Sequence, residues 1–327
     1  MAEMMKAGVA SEDGLAIRTI EKPVPASEQV LVRVAAAGMN RADLNAAKGA
    51  GVASKGSWGK PIGMEWAGEV VAVGDAVTTI KPGAVVMCSG AGGYAEFAVS
   101  DIGRTIPIEG SRLSIDEAAT LPLALMTAHD AVVSNGRVAG GDTVLVQGAS
   151  SAVGLASMQI TKVMGAAFVI GTSTSAERRA QLADFGADLV IDPKNANWVD
   201  QILAATAGRG ADVIIDMVGG SAVNDCMRAA AVLGRVINVG RLGGLKVELD
   251  LDLHSLKRLN YIGTTFRTRS VAEVREIVRA MRADLWDAIE AGAIRLPVDR
   301  SFALDEAISA HAYMGSNAHF GKIVLKP

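Results

Sequence analysis

One turn of small residues has the composition and spacing that dinucleotide binding requires. Residues 148–154 read Gly-Ala-Ser-Ser-Ala-Val-Gly and lie between an apolar run and a segment with helical spacing. Small side chains let backbone N–H groups approach a pyrophosphate, and the positive end of the following helix favours its negative charge. The G-x-G-x-x-G pattern is incomplete at Ser151 and Ala152, so an ordinary strand–helix turn is the alternative. The predicted contacts are Gly148, Ala149, Ser150, Ala152, Val153 and Gly154.

Residues about 20 positions further on bear on which nicotinamide cofactor is bound. An acid there would bind the ribose 2′-hydroxyl of NAD, but the sequence has Thr172 and Ser173, followed by Arg178 and Arg179. Hydroxyl and guanidinium groups suit a 2′-phosphate, which arginine binds in a forked geometry. Thr172, Ser173 and Arg178 therefore predict NADPH as the cofactor. The alternative is that both arginines are solvated charges on the next helix.

The segments around this turn alternate between a strand-like and a helix-like spacing of apolar residues. Five nearly continuous apolar runs are separated by segments with helical spacing, one of which predicts a helix over 221–233. Apolar strands that alternate with helices indicate a parallel sheet buried on both faces. We therefore predict an α/β fold with a doubly wound Rossmann domain in the middle of the chain. The runs are residues 142–147, 168–171, 189–191, 212–218 and 235–239.

The segments before and after this region do not show the strand–helix alternation. The first third contains short valine-rich runs punctuated by glycine, such as 29–35 and 68–74, which indicate a small β-barrel or sandwich. After Thr265 the spacing predicts a long helix over 271–292 and a final strand over 321–326. The tail is long enough for this strand to return to the first domain and complete its sheet.

Composition excludes several classes of function. The chain has 327 residues, half of them hydrophobic, and a net charge of −3, so a primary role with nucleic acid or a membrane surface is not expected. Cys88 and Cys226 are too few for a disulfide framework or a thiolate zinc site. The N-terminus has no targeting pattern, and the most apolar stretch, 118–133, is interrupted by polar residues. We expect a soluble, cytoplasmic protein.

Several motifs together resemble one protein family. They are residues 38–44 (GMNRADL), 61–70 (PIGMEWAGEV), 92–96 (GGYAE) and 321–325 (GKIVL). In this order they resemble the medium-chain dehydrogenase/reductase superfamily, and its quinone oxidoreductase branch most closely. Residues 264–270 (TTFRTRS) resemble the subgroup that contains the p53-inducible quinone reductase. The resemblance implies a GroES-like catalytic domain formed by 1–125 and 267–327, with the Rossmann domain inserted at 126–266.

The resemblance also raises the question of a metal. Zinc-dependent members have a cysteine at the position of Asn40 and a histidine at the position of Met64. An amide is a poor zinc ligand and a thioether prefers softer metals. Because a third ligand has no counterpart in 121–129, we predict that no metal is bound. Zinc-free members reduce quinones, enones and activated alkenes, so the predicted substrate is a small quinone or α,β-unsaturated carbonyl compound.

The first motif contains the candidate catalytic residues. Asn40 is expected to be the polar group beside the nicotinamide, with a turn asparagine as the alternative. Asp43 could support Asn40 or position Arg41, although a structural ion pair with Arg41 is an equal alternative. Glu65 is interpreted as a domain-interface residue. The sequence shows no convincing general acid.

Four further cofactor contacts follow from the resemblance. Thr127 matches a family threonine near the nicotinamide amide, and Gly240 and Phe266 follow strands whose backbone contacts the nicotinamide half. Asn317 resembles a family asparagine that faces the cofactor. The alternative for Thr127 is a helix-start threonine and the alternative for Asn317 is a loop cap.

Two other functions remain open from the sequence. An enoyl-thioester reductase would need basic residues for a nucleotide phosphate, and Lys55 and Lys60 are candidates, although solvated loop charges are the alternative. A non-catalytic NADPH-binding protein is the third hypothesis. The family also implies a homodimer that pairs across the Rossmann edge near 260–266.

Overall fold

The structure, a computed structural model, describes residues 2–48 and 58–327. The chain forms two compact units. Unit 1 comprises Met1–Leu123, Ser270–Arg279 and Arg295–Pro327, and unit 2 comprises Ala124–Arg269 and Ala280–Ile294. The domain boundaries proposed from the sequence, at 125/126 and 266/267, stay a prediction.

The regular elements alternate differently in the three parts of the chain. The first part contains the strands and helices β1 Met4–Ser11, β2 Gly14–Glu21, β3 Gln29–Gly38, α1 Arg41–Ala47, β4 Glu65–Val73, β5 Val85–Ser89, β6 Phe97–Asp101, β7 Thr105–Pro107 and α2 Ile115–Thr120. The middle part contains α3 Pro122–His129, β8 Thr143–Gln147, α4 Ala152–Val163, β9 Phe168–Thr172, α5 Ala176–Ala180, β10 Leu189–Ile191, α6 Trp198–Ala205, β11 Ala211–Asp216, α7 Ala222–Ala229, β12 Ala230–Asn238, α8 Leu251–Lys257 and β13 Asn260–Gly263. The last part contains α9 Val271–Glu290, β14 Val298–Ala303, α10 Ala307–Gly315 and β15 Lys322–Lys326.

Unit 1 is built around a mixed sheet that includes strands from both ends of the chain. Its order is β14-β15-β3-β4-β5-β7, with β6 also paired to β3. The predicted return of the last strand is confirmed, because β15 pairs antiparallel with β3 through Val324 and Gly38. The Met39 N–H, just beyond β3, donates to the Ile323 carbonyl at 2.9 Å. This pairing brings Lys322 beside the residues that follow β3.

Unit 2 contains a six-stranded sheet in the order β10-β9-β8-β11-β12-β13. All of its strand pairs are parallel. Of the six strands in this sheet, β8 comes first in the chain; it lies in the middle, and the order reverses beside it, which is the Rossmann arrangement. The predicted α/β, doubly wound fold is therefore confirmed. Ligands of such sheets bind outside the carboxyl ends of the strands at this reversal.

Three features of the fold differ from the sequence-based expectation. The parallel sheet has a sixth strand, β13, and residues 4–21 form the β1–β2 hairpin, which was not predicted. The predicted helix over 221–233 is wrong beyond Ala229, because Ala230 pairs with Ala211 in the sheet and Leu233 has a φ of +67°. Apolar periodicity cannot separate a short helix from a buried strand, and sheet pairing overrides local helix propensity here.

In the described part of the chain, none of the helices combines the length and the apolar character that crossing a bilayer requires.

Candidate functional site

The turn between β8 and α4 is held by its own backbone and one serine. Gly148 has a φ of +76°, which glycine adopts without strain. Ser151 is the N-cap of α4: its hydroxyl accepts from the Gly154 N–H at 3.1 Å and donates to the Gly148 carbonyl at 3.0 Å. The first turn of a helix leaves N–H groups without intrahelical partners, and those of Ala152 and Val153 belong to it. The turn therefore has the form of an anion-binding helix N-terminus.

Close packing under the turn requires small residues. A Cβ on Gly154 would lie 2.7 Å from the Ala149 Cα, which real structures do not tolerate. Ala149 is fully buried, and its N–H donates to the Thr172 carbonyl at 2.9 Å. The incomplete glycine pattern is thus compatible with the geometry: glycine lies where the backbone needs it, and alanine fills the space between strand and helix.

The two hydroxyl residues at the end of β9 have different positions. Thr172 is fully buried; its hydroxyl accepts from the Gly148 N–H at 3.0 Å and donates to the Gln147 side chain. Thr172 therefore holds the backbone of the turn at Gly148 and is not itself exposed to a ligand. Ser173 donates to the Ser150 hydroxyl at 3.1 Å, so the structure brings these two predicted contacts together.

The two arginines of α5 also differ. Arg178 is half-buried, and its backbone N–H donates to the Ser175 hydroxyl, which caps α5. The Arg179 guanidinium donates to the Ser173 carbonyl at 2.7 Å and pairs with Asp192 at 3.1 Å. Asp192 follows β10, so the acidic partner of Arg179 comes from the neighbouring strand of the sheet. Asp192 thus balances the charge of Arg179, and Arg178 stays the predicted contact of a 2′-phosphate.

The other three predicted cofactor contacts in unit 2 lie outside the β8–α4 turn and the β9–α5 segment. Gly240 comes after β12, where a Cβ would lie 2.0 Å from the Met217 carbonyl oxygen. Phe266 lies after β13 with the Arg269 guanidinium 5.6 Å from its ring centre. Arg269 also pairs with the nearly buried Asp130 at 2.7 Å, and this contact anchors the loop that carries Phe266. Thr127 is on α3 and half-buried.

In unit 1, Asn40 lies between β3 and α1, and its side chain faces two charged residues. The amide oxygen accepts from the Lys322 ammonium at 2.9 Å, and the amide nitrogen donates to Glu65 at 3.0 Å. A second contact of the amide nitrogen, to the Gly38 carbonyl, is long at 3.4 Å. The orientation of the amide is therefore determined by its two charged partners.

Glu65 and Lys322 form a buried ion pair. Glu65 is fully buried and Lys322 is 2% exposed, and the ammonium donates directly to the carboxylate. The second carboxylate oxygen accepts from the Leu123 N–H at 2.8 Å. Glu65, interpreted from the sequence as a domain-interface residue, belongs to this network.

Asp43, the third residue of α1, is fully buried and contacts the backbone of Asn40. Its carboxylate accepts from the Asn40 N–H and from the Tyr94 hydroxyl, both at 2.8 Å. Burial raises the pKa of Asp43 to about 7, against the two hydrogen bonds and the nearby Lys322 charge, which favour the ionised form. Burial also raises the pKa of Tyr94. Asp43 thus fixes the backbone of Asn40.

Asn317 is brought to the same region by Arg41. Its backbone has a φ of +57°, a left-handed conformation that asparagine tolerates. The Arg41 guanidinium donates to the Asn317 side chain and to the Met314 carbonyl. Asn40, Asp43 and Asn317 are therefore linked through α1.

Two residues of this network, Glu65 and Lys322, were missed as functional candidates, and so was Tyr94. All three are part of the family motifs quoted above. A charged residue at the start of a continuous apolar strand, such as Lys322, is the signal that could have revealed it. Among the thioester candidates, the Lys60 side chain is exposed, and Lys55 lies outside the described residues. Within residues 2–48 and 58–327, no group of three or more histidine, cysteine or carboxylate side chains could hold a metal ion.

Comparison with known proteins agrees with both units. Residues 26–110 match the alcohol dehydrogenase GroES-like domain, and residues 152–283 match the family described as zinc-binding dehydrogenase. Quinone oxidoreductase from Rattus norvegicus is 32% identical over 306 residues, which cover 93% of this chain and 90% of the relative. The chain belongs to the medium-chain dehydrogenase/reductase family, in its quinone oxidoreductase branch. The family makes it an oxidoreductase that uses a nicotinamide cofactor.

Other members of the family are similarly close. Quinone oxidoreductase from Pseudomonas aeruginosa is 30% identical over 317 residues, covering 96% of this chain and 95% of the relative. The native structure of a mycobacterial quinone oxidoreductase superposes with a TM-score of 0.87 at 27% identity, covering 99% of this chain and all of the other. The β8–α4 turn fits the family's cofactor, because it combines a helix N-terminus with glycines at 148 and 154, where the backbone needs them.

The buried carboxyl of Asp43 predicts a pH-dependent stability. Its pKa is raised by folding, so the folded state holds the proton more tightly than the unfolded state does. Raising the pH from about 4 to about 7 therefore favours unfolding. Asp43→Asn keeps an acceptor oxygen but cannot ionise, and it should gain stability relative to wild type over this range, by up to about 4 kcal/mol.

Urea unfolding of both proteins at several pH values measures this difference. Asp13→Asn, at an exposed position in the turn between β1 and β2, is the matched control and should follow the wild-type curve. If the Asp43→Asn and wild-type stabilities run parallel from pH 4 to pH 8, Asp43 does not titrate as described.

Proposed function

We propose that this oxidoreductase is a zinc-independent, NADPH-dependent reductase of quinones or α,β-unsaturated carbonyl compounds. The observation that carries the proposal is the similarity to quinone oxidoreductases over nine-tenths or more of both chains. The local chemistry of Asn40 supports the metal-free form of the reaction, and the residues after β9 support the choice of cofactor.

The residues present do not fit a zinc ion. The Asn40 amide oxygen already accepts from the Lys322 ammonium, and a second cation against the same oxygen would be repelled. Met64 offers only a thioether, which prefers softer metals than zinc. Without a Lewis acid, the substrate must itself be electrophilic, as quinones and enones are.

The protein's part in such a reaction is to bind, orient and stabilise charge. The reduced cofactor supplies a hydride when bound. The acceptor gains that hydride and a proton from water, and negative charge develops on its carbonyl oxygen in between. Asn40 is the proposed donor to this oxygen, since a fixed N–H dipole is effective where charge develops. Asp43 does not touch the acceptor in this proposal; it positions Asn40 through the backbone.

A panel of acceptors tests the reaction class. Absorbance of NADPH at 340 nm should fall in the presence of 1,4-benzoquinone, 9,10-phenanthrenequinone or a simple enone. Crotonyl-CoA, the substrate of the alternative hypothesis, should be reduced slowly or not at all. Turnover of crotonyl-CoA alone would replace the proposal with an enoyl-thioester reductase. Cofactor binding without any turnover would favour a non-catalytic protein.

The preference for NADPH is proposed to depend on Arg178. Arg178→Ala should raise the KM for NADPH by roughly tenfold, since a charge-assisted contact with phosphate is lost, and should leave the KM for NADH within about twofold. Arg18→Ala, at an exposed position on β2, should change neither value. Steady-state kinetics with both cofactors measure the ratio. Equal effects on the two cofactors would reject this role for Arg178.

The edge of the unit 2 sheet is proposed to form a homodimer. The edge strand β13 has no neighbour beyond it in the described sheet, and Tyr261 on it is 38% exposed. Leu256 on the preceding helix α8 is 74% exposed, and Leu242, Leu245 and Leu251 are exposed nearby in the chain. Open strand edges beside apolar side chains favour pairing with another chain, and a second copy would extend the sheet.

Light scattering coupled to size exclusion measures the oligomeric state. Wild type should elute with the mass of two chains, and Leu256→Glu should shift the population to monomer because a carboxylate is not accommodated in an apolar interface. Val24→Glu, at an 84% exposed position in unit 1, should remain dimeric. A monomeric wild type, or a Leu256→Glu variant that stays dimeric, contradicts this surface.

A further inference from the structure

The buried ammonium of Lys322 has an unusual position for a structural charge. It comes from the first residue of β15 and is 2% exposed. Gly321 before it is held close to Pro297, where a Cβ would lie 2.2 Å from the carbonyl oxygen, so the strand start is fixed. The ammonium then reaches both Glu65 and the Asn40 amide oxygen.

Stability alone does not account for this ion pair. Desolvation of two charges offsets most of their attraction, and apolar side chains of similar volume are often equally stabilising. The pair does have a directional effect, because it determines which end of the Asn40 amide faces which partner. One amide N–H is directed to Glu65 at 3.0 Å, whereas the other has only the long 3.4 Å contact to Gly38. That second N–H is the one available to a ligand oxygen.

We infer that Lys322 is a positioning residue for the reduction: its ammonium orients the Asn40 amide and polarises it, so that the second N–H becomes a stronger donor to the acceptor carbonyl. A cation at the oxygen of an amide withdraws electron density from its N–H groups, and hydrogen bonds in a chain strengthen one another. The inference rests on the proposed function. It differs from that proposal in naming how a side chain that does not touch the acceptor controls the rate.

The test compares acceptors of graded electrophilicity. Lys322→Met removes the charge and keeps an unbranched side chain that is one atom shorter, and Lys322→Arg keeps the charge. The control, Lys326→Met, lies on the same strand, where the lysine pairs with Asp116. If polarisation matters, Lys322→Met should lower kcat by roughly 10- to 100-fold for a methylated quinone or an enone and much less for 1,4-benzoquinone, while the Kd of NADPH stays within about twofold. Lys322→Arg should recover part of the loss, and Lys326→Met should match wild type.

Two further variants separate this role from folding. Lys322→Met leaves Glu65 buried without a counter-charge, so the double variant Glu65→Gln/Lys322→Met is measured as well; it contains no unpaired charge and should show the same dependence on the acceptor. Asn40→Ala provides a double-mutant cycle. If Lys322 acts through Asn40, Lys322→Met should have no further effect on kcat in the Asn40→Ala background.

Different results would reject the role of Lys322 and the proposed function. Equal loss for every acceptor, additive effects in the cycle, or full activity of the Glu65→Gln/Lys322→Met variant would overturn the inference while the proposed function stands. A wild-type protein that reduces none of the acceptors would reject the proposed function, and the inference with it.

Discussion

The buried ion pair between Glu65 and Lys322 is the interaction on which the unit 1 site depends. The two residues are 257 positions apart, and the order β15-β3-β4 in the sheet brings them together. A buried carboxylate or ammonium without its partner is strongly destabilising, so the fold must close β15 onto β3 for either charge to be tolerated. The Asn40 side chain takes its orientation from that pair, and its backbone N–H is held by Asp43, which in turn accepts from Tyr94.

In unit 2, neutral groups rather than a buried ion pair hold the candidate binding residues in place. The backbone of the β8–α4 turn is fixed by the Ser151 cap and by the buried Thr172 hydroxyl. Its N–H groups then need no charged side chain to face an anion, since the helix N-terminus supplies the positive end. In both units the residue proposed to face a ligand is held by a less exposed neighbour.

Local patterns in the sequence predicted the fold and part of the candidate site. The alternation of apolar runs with segments of helical spacing predicted the parallel sheet, and the small residues of 148–154 predicted the turn. Both features depend on residues that are close together in the chain. The Glu65–Lys322 pair and the approach of Asp192 to Arg179 depend on strand order, which periodicity does not specify. Residues 230–233 show the same limit: their apolar side chains suit a helix or a strand, and pairing with β11 decides.

The proposed function requires that the positive charge beside Asn40 be the Lys322 ammonium and not a metal ion. Mass-spectrometric metal analysis of the purified protein, on the same preparation whose quinone turnover is measured, tests it most directly. We expect full turnover with far less than one zinc ion per chain. Stoichiometric zinc that is lost together with activity, and restored together with it, would show instead that a metal ion supplies the charge.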